Sequence, residues 1–151
     1  MIKIICIGKI KEKYYEQAID EYKKRLSKYT KLEIIELPDE NNKSVDVIKS
    51  LEKNKILSNI KDKDYVITLE INGNKLDSVN LSKKLEQINL NYSNIVFVIG
   101  GSYGLDEEVS KRSNYKLSFS DLTFPHQLFR VILLEQIYRC FKIKNNETYH
   151  K

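Results

Sequence analysis

Side chains able to do acid–base or anion chemistry gather near the C-terminal end of this 151-residue chain. One of its two histidines, His126, follows Phe124-Pro125 at the head of the most apolar helical run, and Arg130 lies one turn later on the same face. Proline is tolerated in a first helical turn, where its missing N–H serves no intrahelical acceptor, and Thr123 is placed to cap. The loop before it, LSFSDLT over residues 117–123, carries Ser118, Ser120, Asp121 and Thr123 between apolar neighbours. A polar loop running into a helix N-terminus, followed by His and Arg, is a place to bind a ligand. The chain ends Tyr149-His150-Lys151, which reads either as a frayed terminus or as a group that stacks on a base and touches phosphate.

Other chemistries are excluded by composition and spacing. Two histidines cannot build a multi-histidine metal site, and Cys6 and Cys140 are far apart with no CxxC, so neither metal nor disulfide is expected. Two buried thiols in a reducing cytoplasm is the simplest account. No GK[ST] occurs, so there is no P-loop. Gly100-Gly101-Ser102-Tyr103-Gly104 lacks GxGxxG spacing and follows the fourth strand rather than the first. Its glycines either allow a tight turn or let a ligand approach bare backbone. A triad of Ser120, His126 and Asp121 fails because Ser120 and Asp121 are adjacent and no nucleophile elbow is present. The net charge of +5 is unevenly placed. The last 41 residues hold eight Lys/Arg against Asp121, Glu135 and Glu147, which leaves 18 of each sign in residues 1–110 (26 − 8 and 21 − 3). A basic end on a neutral body points to a polyanion, nucleic acid first, or simply to a soluble basic surface. No signal peptide or membrane span is expected.

These residues need a scaffold, and the patterning predicts a single α/β domain over 1–151 with a mainly parallel sheet flanked by helices. Strands are expected at Ile2–Ile7, Leu32–Leu37, Tyr65–Ile71, Ile95–Ile99 and Tyr115–Phe119. Helices are expected at Lys13–Tyr29, Val45–Ile60, Leu81–Leu90, Asp106–Ser113 and Leu128–Ile143. IVFVI, uniformly apolar, marks a central strand buried on both faces. The turn Asn72-Gly73-Asn74 should end the third strand. The last helix is apolar almost all round, which calls for cover from a second copy of the chain. Ligands bind outside the carboxyl ends of such sheets, which singles out three rims: Leu69–Asn74, Gly100–Gly104 and Phe119–Pro125.

Several segments together resemble one family. IGKIKEKYY, EYKKRLSKYTKLEIIELPDE, VITLEINGNKLDS, FVIGGSYGL, LSFSDLTFPHQLFRVILLEQIYR and the terminal YHK occur in the order seen in the ribosomal RNA large subunit methyltransferase H family, of the SPOUT class. The resemblance implies an α/β domain with a C-terminal trefoil knot, an exception to the rule that connections do not thread. It implies a cytoplasmic homodimer that uses S-adenosylmethionine to methylate N3 of a pseudouridine in 23S rRNA within the assembled 70S ribosome, with no DNA or membrane partner. Carried over by position, cofactor contacts fall on Leu69, Gly100, Phe119, Ser120, Asp121, Leu122, Thr123 and Phe124. The mechanism expected to follow uses His126 or His150 as base, Arg130 as stabiliser of the developing anion or phosphate holder, and Tyr149 with His150 reaching across the dimer. The alternative is a non-catalytic ribosome- or RNA-binding module that keeps the knot.

Overall fold

The computed structural model describes all residues, 1–151. Its strands are β1 (Ile2–Ile7), β2 (Leu32–Leu37), β3 (Tyr65–Lys75), β4 (Ile95–Ile99) and β5 (Tyr115–Ser118). Its helices are α1 (Lys13–Leu26), α2 (Val45–Ser58), α3 (Ser78–Asn89), α4 (Glu107–Arg112) and α5 (His126–Lys144). The strands form one five-stranded sheet in the order β2-β1-β4-β3-β5, with every pairing parallel. β4, the apolar IVFVI run, takes the centre and is buried along its whole length, as a strand covered on both faces must be.

Alternate side chains of each strand serve two separate cores. Ile2, Ile4 and Cys6 of β1 join Ile95, Phe97 and Ile99 of β4 on one face, under α1, α3 and α5. Ile5 and Ile7 join Val96 and Val98 on the other, under α2 and α4. The connections through α1 and α3 each step toward the β2 edge, and those through α2 and α4 toward the β5 edge. Reversing direction and face together keeps all four crossovers of one hand, as parallel βαβ units demand. No helix is long and apolar enough to cross a membrane.

Two local expectations are corrected. Asn72-Gly73-Asn74 does not end β3: Leu69 and Asn74 both pair with Leu117, so Glu70–Gly73 bulge out of the ladder and the strand resumes to Lys75. A Cβ on Gly73 would sit 2.8 Å from the Lys116 carbonyl, so the glycine serves a close backbone crossing rather than a chain reversal. At α5, Pro125 is the N-cap rather than a first-turn residue, and no side chain caps the helix, so Thr123 does not act as expected.

α5 packs against both α1 and α3, and its start is fastened to the ends of β1 and β2. Arg130 donates from Nη2 to the carbonyls of Ile7 and Gly8, each at 2.8 Å, and from Nη1 to Glu36 at 2.9 Å. Glu36 also accepts from the Ile10 N–H at 2.9 Å, and Gln127 Oε1 accepts from the Lys11 N–H at 2.9 Å. Arg130 is 3% exposed, and its Nε is left without a partner. Because three charge-assisted bonds offset the cost of burying the guanidinium, Arg130→Met is expected to lower unfolding stability by about 3 kcal/mol. A urea midpoint within experimental error of wild type would contradict that. Burial pushes the Cys6 thiol up to about 11 and the Cys140 thiol up to about 12. Raised values keep both protonated through neutral pH, so neither should react with a thiol reagent at pH 8 until the chain is unfolded.

Candidate functional site

A cavity of about 390 Å³ opens at the carboxyl ends of β3, β4 and β5. The β3 bulge supplies one wall through Leu69–Asn72, the turn after β4 another, and the loop after β5 a third. His126 and Phe129 from the first turn of α5 close it. All three rims expected from the sequence therefore meet in one place, because parallel strands deliver their following loops to the same edge.

The wall is apolar and aromatic. Phe119 meets Phe129 edge-on at 5.1 Å between ring centroids, and Phe124 stacks on Phe129 at 5.9 Å. Ser118 donates to the Ser120 carbonyl at 3.2 Å, and the Leu122 N–H donates to Ser120 Oγ at 3.0 Å, so the loop's hydroxyls shape its own backbone. Glu70 and His126 are the only ionisable side chains in the lining, and no Lys or Arg reaches it. Thr68 Oγ1, at 2.6 Å, and Ser110 Oγ, at 3.0 Å, donate to the Glu70 carboxylate and fix it at the end of β3. A polyphosphate would find no counter-charge here. A flat heteroaromatic group carrying a positive centre would find aromatic faces and one carboxylate.

The glycines of the turn after β4 follow the tight-turn reading. A Cβ on Gly100 would come within 2.9 Å of Leu105 and 3.1 Å of the Gly104 backbone, and one on Gly101 within 2.8 Å of the Glu52 carboxylate, so a side chain at either would displace a neighbour. Gly104 has open space around it but a φ of +79°, the left-handed region that disfavours other residues.

Seven of the eight positions expected at a cofactor line the cavity: Leu69, Gly100, Phe119, Ser120, Leu122, Thr123 and Phe124. Asp121 does not. It points into solvent and pairs with Lys75 at 2.7 Å. His126 lines the cavity with its side chain exposed, whereas Arg130, expected beside it, lines a different cavity of about 300 Å³ with Lys9, Lys23, Asp20 and Glu36. The carbonyls of β1 and the Glu36 carboxylate draw the guanidinium inward, away from any surface a base could reach. Phe129, three residues after His126, was recoverable from helical spacing; Glu70 falls within the expected rim Leu69–Asn74, but nothing in the sequence marked its carboxylate, whose position is set by Thr68 and Ser110.

The tail lies elsewhere. Tyr149 packs edge-on against Tyr138 at 5.0 Å and donates to Glu135 at 3.1 Å, while His150 Nδ1 is 3.1 Å from Arg139. His150 borders a groove of about 590 Å³ on α3 and α5, whose floor includes Leu117, Phe119 and Phe124. These three residues therefore separate the groove from the first cavity. Glu147 tethers the tail by accepting from Lys142 at 2.8 Å and Tyr29 at 2.9 Å, and those bonds hold its carboxyl below the usual range. A lowered value means the tether is complete at neutral pH and fails only as acid titrates Glu147 below that range. Glu147→Gln should make the last residues more sensitive to carboxypeptidase at pH 7 without shifting the melting temperature; unchanged digestion would count against the tether.

The sequence matches, over residues 1–150, the family described as predicted SPOUT methyltransferases. It is 57% identical to the ribosomal RNA large subunit methyltransferase H of Clostridium botulinum, with 99% of each chain covered. It is 55% identical, again over 99% of each chain, to the protein of that name from Clostridium novyi. With the match running the length of the chain, this protein belongs to the SPOUT methyltransferase family, in the group of the ribosomal RNA large subunit methyltransferase H proteins.

Proposed function

We propose that this chain is a homodimeric, S-adenosylmethionine-dependent methyltransferase that modifies N3 of a pseudouridine in 23S rRNA within the assembled 70S ribosome. The observation that carries the reading is the cavity itself, which is aromatic, free of cations, provided with one fixed carboxylate, and has His126 at its edge. That lining fits an adenosyl sulfonium, whose flat base and positive sulfur suit the Phe119–Phe129 rings and Glu70, and it does not fit a nucleoside triphosphate. When bound, the cofactor supplies an already activated methyl group.

The protein's part is then alignment and proton removal. Leu69, Gly100 and the loop from Phe119 to Phe124 hold the cofactor, largely through backbone groups. His126, exposed beside that loop, accepts the N3 proton of the incoming base, a role His150 of a second copy is the alternative to fill. Asp121, outside the lining, acts at most through Lys75. Arg130 fixes the α5 start that carries His126 rather than touching the base. The half-buried Leu128, Val131 and Ile132 of α5, together with the groove beside His150, support a dimer in which Tyr149 and His150 complete the partner's site. Family membership further implies that the C-terminal segment is threaded as a trefoil knot. The modest net charge of +5 favours a substrate presented by a preformed particle over naked RNA.

Methyl transfer from labelled cofactor to 70S particles, with naked 23S rRNA as the comparison, tests the reading. Label is expected in the particles, and His126→Ala should slow single-turnover transfer about 100-fold or more while cofactor binding persists. Unimpaired transfer by that variant removes His126 as the base. Absence of both transfer and cofactor binding would leave the non-catalytic RNA-binding module.

A further inference from the structure

Nine of the ten tyrosines have an aromatic or cationic partner within the molecule, including Tyr14, which is itself 62% exposed. Tyr22, Tyr29, Tyr138 and Tyr149 form one ring cluster. Tyr14 pairs with Tyr15 and Tyr65 with Tyr92, while Tyr115 lies under the Lys84 ammonium at 3.9 Å. Tyr103 has no ring, cation or hydrogen-bond partner and is 53% exposed. It sits at the tip of the turn after β4, whose flanking residues Ser102 and Gly104 line the cavity. The turn is closed by a Gly101–Gly104 bridge, with the Gly104 N–H donating to the Gly101 carbonyl at 3.1 Å. The ring is therefore carried on a short, hydrogen-bonded support rather than on a loose loop.

Its neighbours around the cavity point the same way. Seven large hydrophobic residues are exposed in the whole chain, and three of them belong to the segments forming this one cavity: Ile71 on the β3 bulge, Tyr103, and Leu122 in the loop after β5. Scattered exposed hydrophobics need no explanation, but a cluster at the mouth of a cavity marks a binding surface. An aromatic face held in solvent beside an entry meant for a nucleoside is suited to stack on an unpaired base, which every base permits because each has a π-face.

We infer that Tyr103 is a stacking platform for an unpaired nucleobase of the RNA strand that lies across the mouth of the cavity, and so a determinant of substrate affinity rather than of cofactor binding. The inference rests on the proposed methyltransferase reading. The test uses the full-length protein and 70S ribosomes lacking the modification, comparing Tyr103→Ala, Tyr103→Leu, Tyr103→Phe and Tyr103→Trp. The Ala and Leu variants should raise the KM for ribosomes about tenfold, leaving kcat, calorimetric affinity for S-adenosylmethionine and melting temperature unchanged. Phe and Trp should behave as wild type. An unchanged KM in the Ala variant overturns the inference, as does a Leu variant equal to wild type, which would mean that bulk and not a π-face is needed. Weakened cofactor binding in the Ala variant also overturns it, making the ring a lid over the cofactor. A wild-type protein that transfers no methyl group at all removes the proposed function and this inference with it, and is distinguishable by failing before any variant is compared.

Discussion

The guanidinium of Arg130 joins parts of the chain 94 to 123 residues apart, reaching from α5 to the carbonyls of Ile7 and Gly8 and to Glu36. Those groups are the ends of β1 and β2, where a parallel sheet leaves its last carbonyls without ladder partners. A single charged side chain satisfies two of them and neutralises a carboxylate at once. Because α5 begins only four residues earlier, the same contact sets where His126 and Phe129 stand relative to the sheet. The cavity on the β5 side thus depends on a contact made on the β1 side.

Electrostatic division follows from that placement. The positive charge of the C-terminal region is either spread over the surface or, for Arg130, internal, and none of it enters the cavity. A site without cations leaves Glu70 as the local charge, fixed by two hydroxyl donors from β3 and α4. That arrangement favours a positively charged ligand inside and a polyanion outside, which is the pairing a sulfonium cofactor and an RNA substrate present.

Phe119, Phe124 and Leu117 have cavity on one side and groove on the other. A ligand pressing on the loop after β5 would therefore be felt at the face of α5 that the tail borders. Tyr149, His150 and Glu147 are held there by contacts with Glu135, Arg139, Lys142 and Tyr29, which are part-buried except for that of His150. The terminal His150 is therefore the least firmly held of the three, since solvent screens an exposed contact.

The sequence by itself determined the alternation of elements, the central position of IVFVI, and the three rims, because these depend on local periodicity and on the rule that parallel strands send their loops to one edge. It also carried the family, through motifs spread over the whole chain. Only the tertiary structure decided the direction of Arg130: residues four apart share a helical face, yet the unpaired carbonyls of β1 pull one of them inward. It decided too that Asn72-Gly73-Asn74 is a bulge and not an end, since the crossing of Gly73 over Lys116 is a contact between strands that no local pattern records. It decided the direction of Asp121 as well: in the loop after β5 that carboxylate faces solvent and Lys75 instead of the cavity, because Lys75, at the end of β3, comes beside the loop only once β3 and β5 have paired.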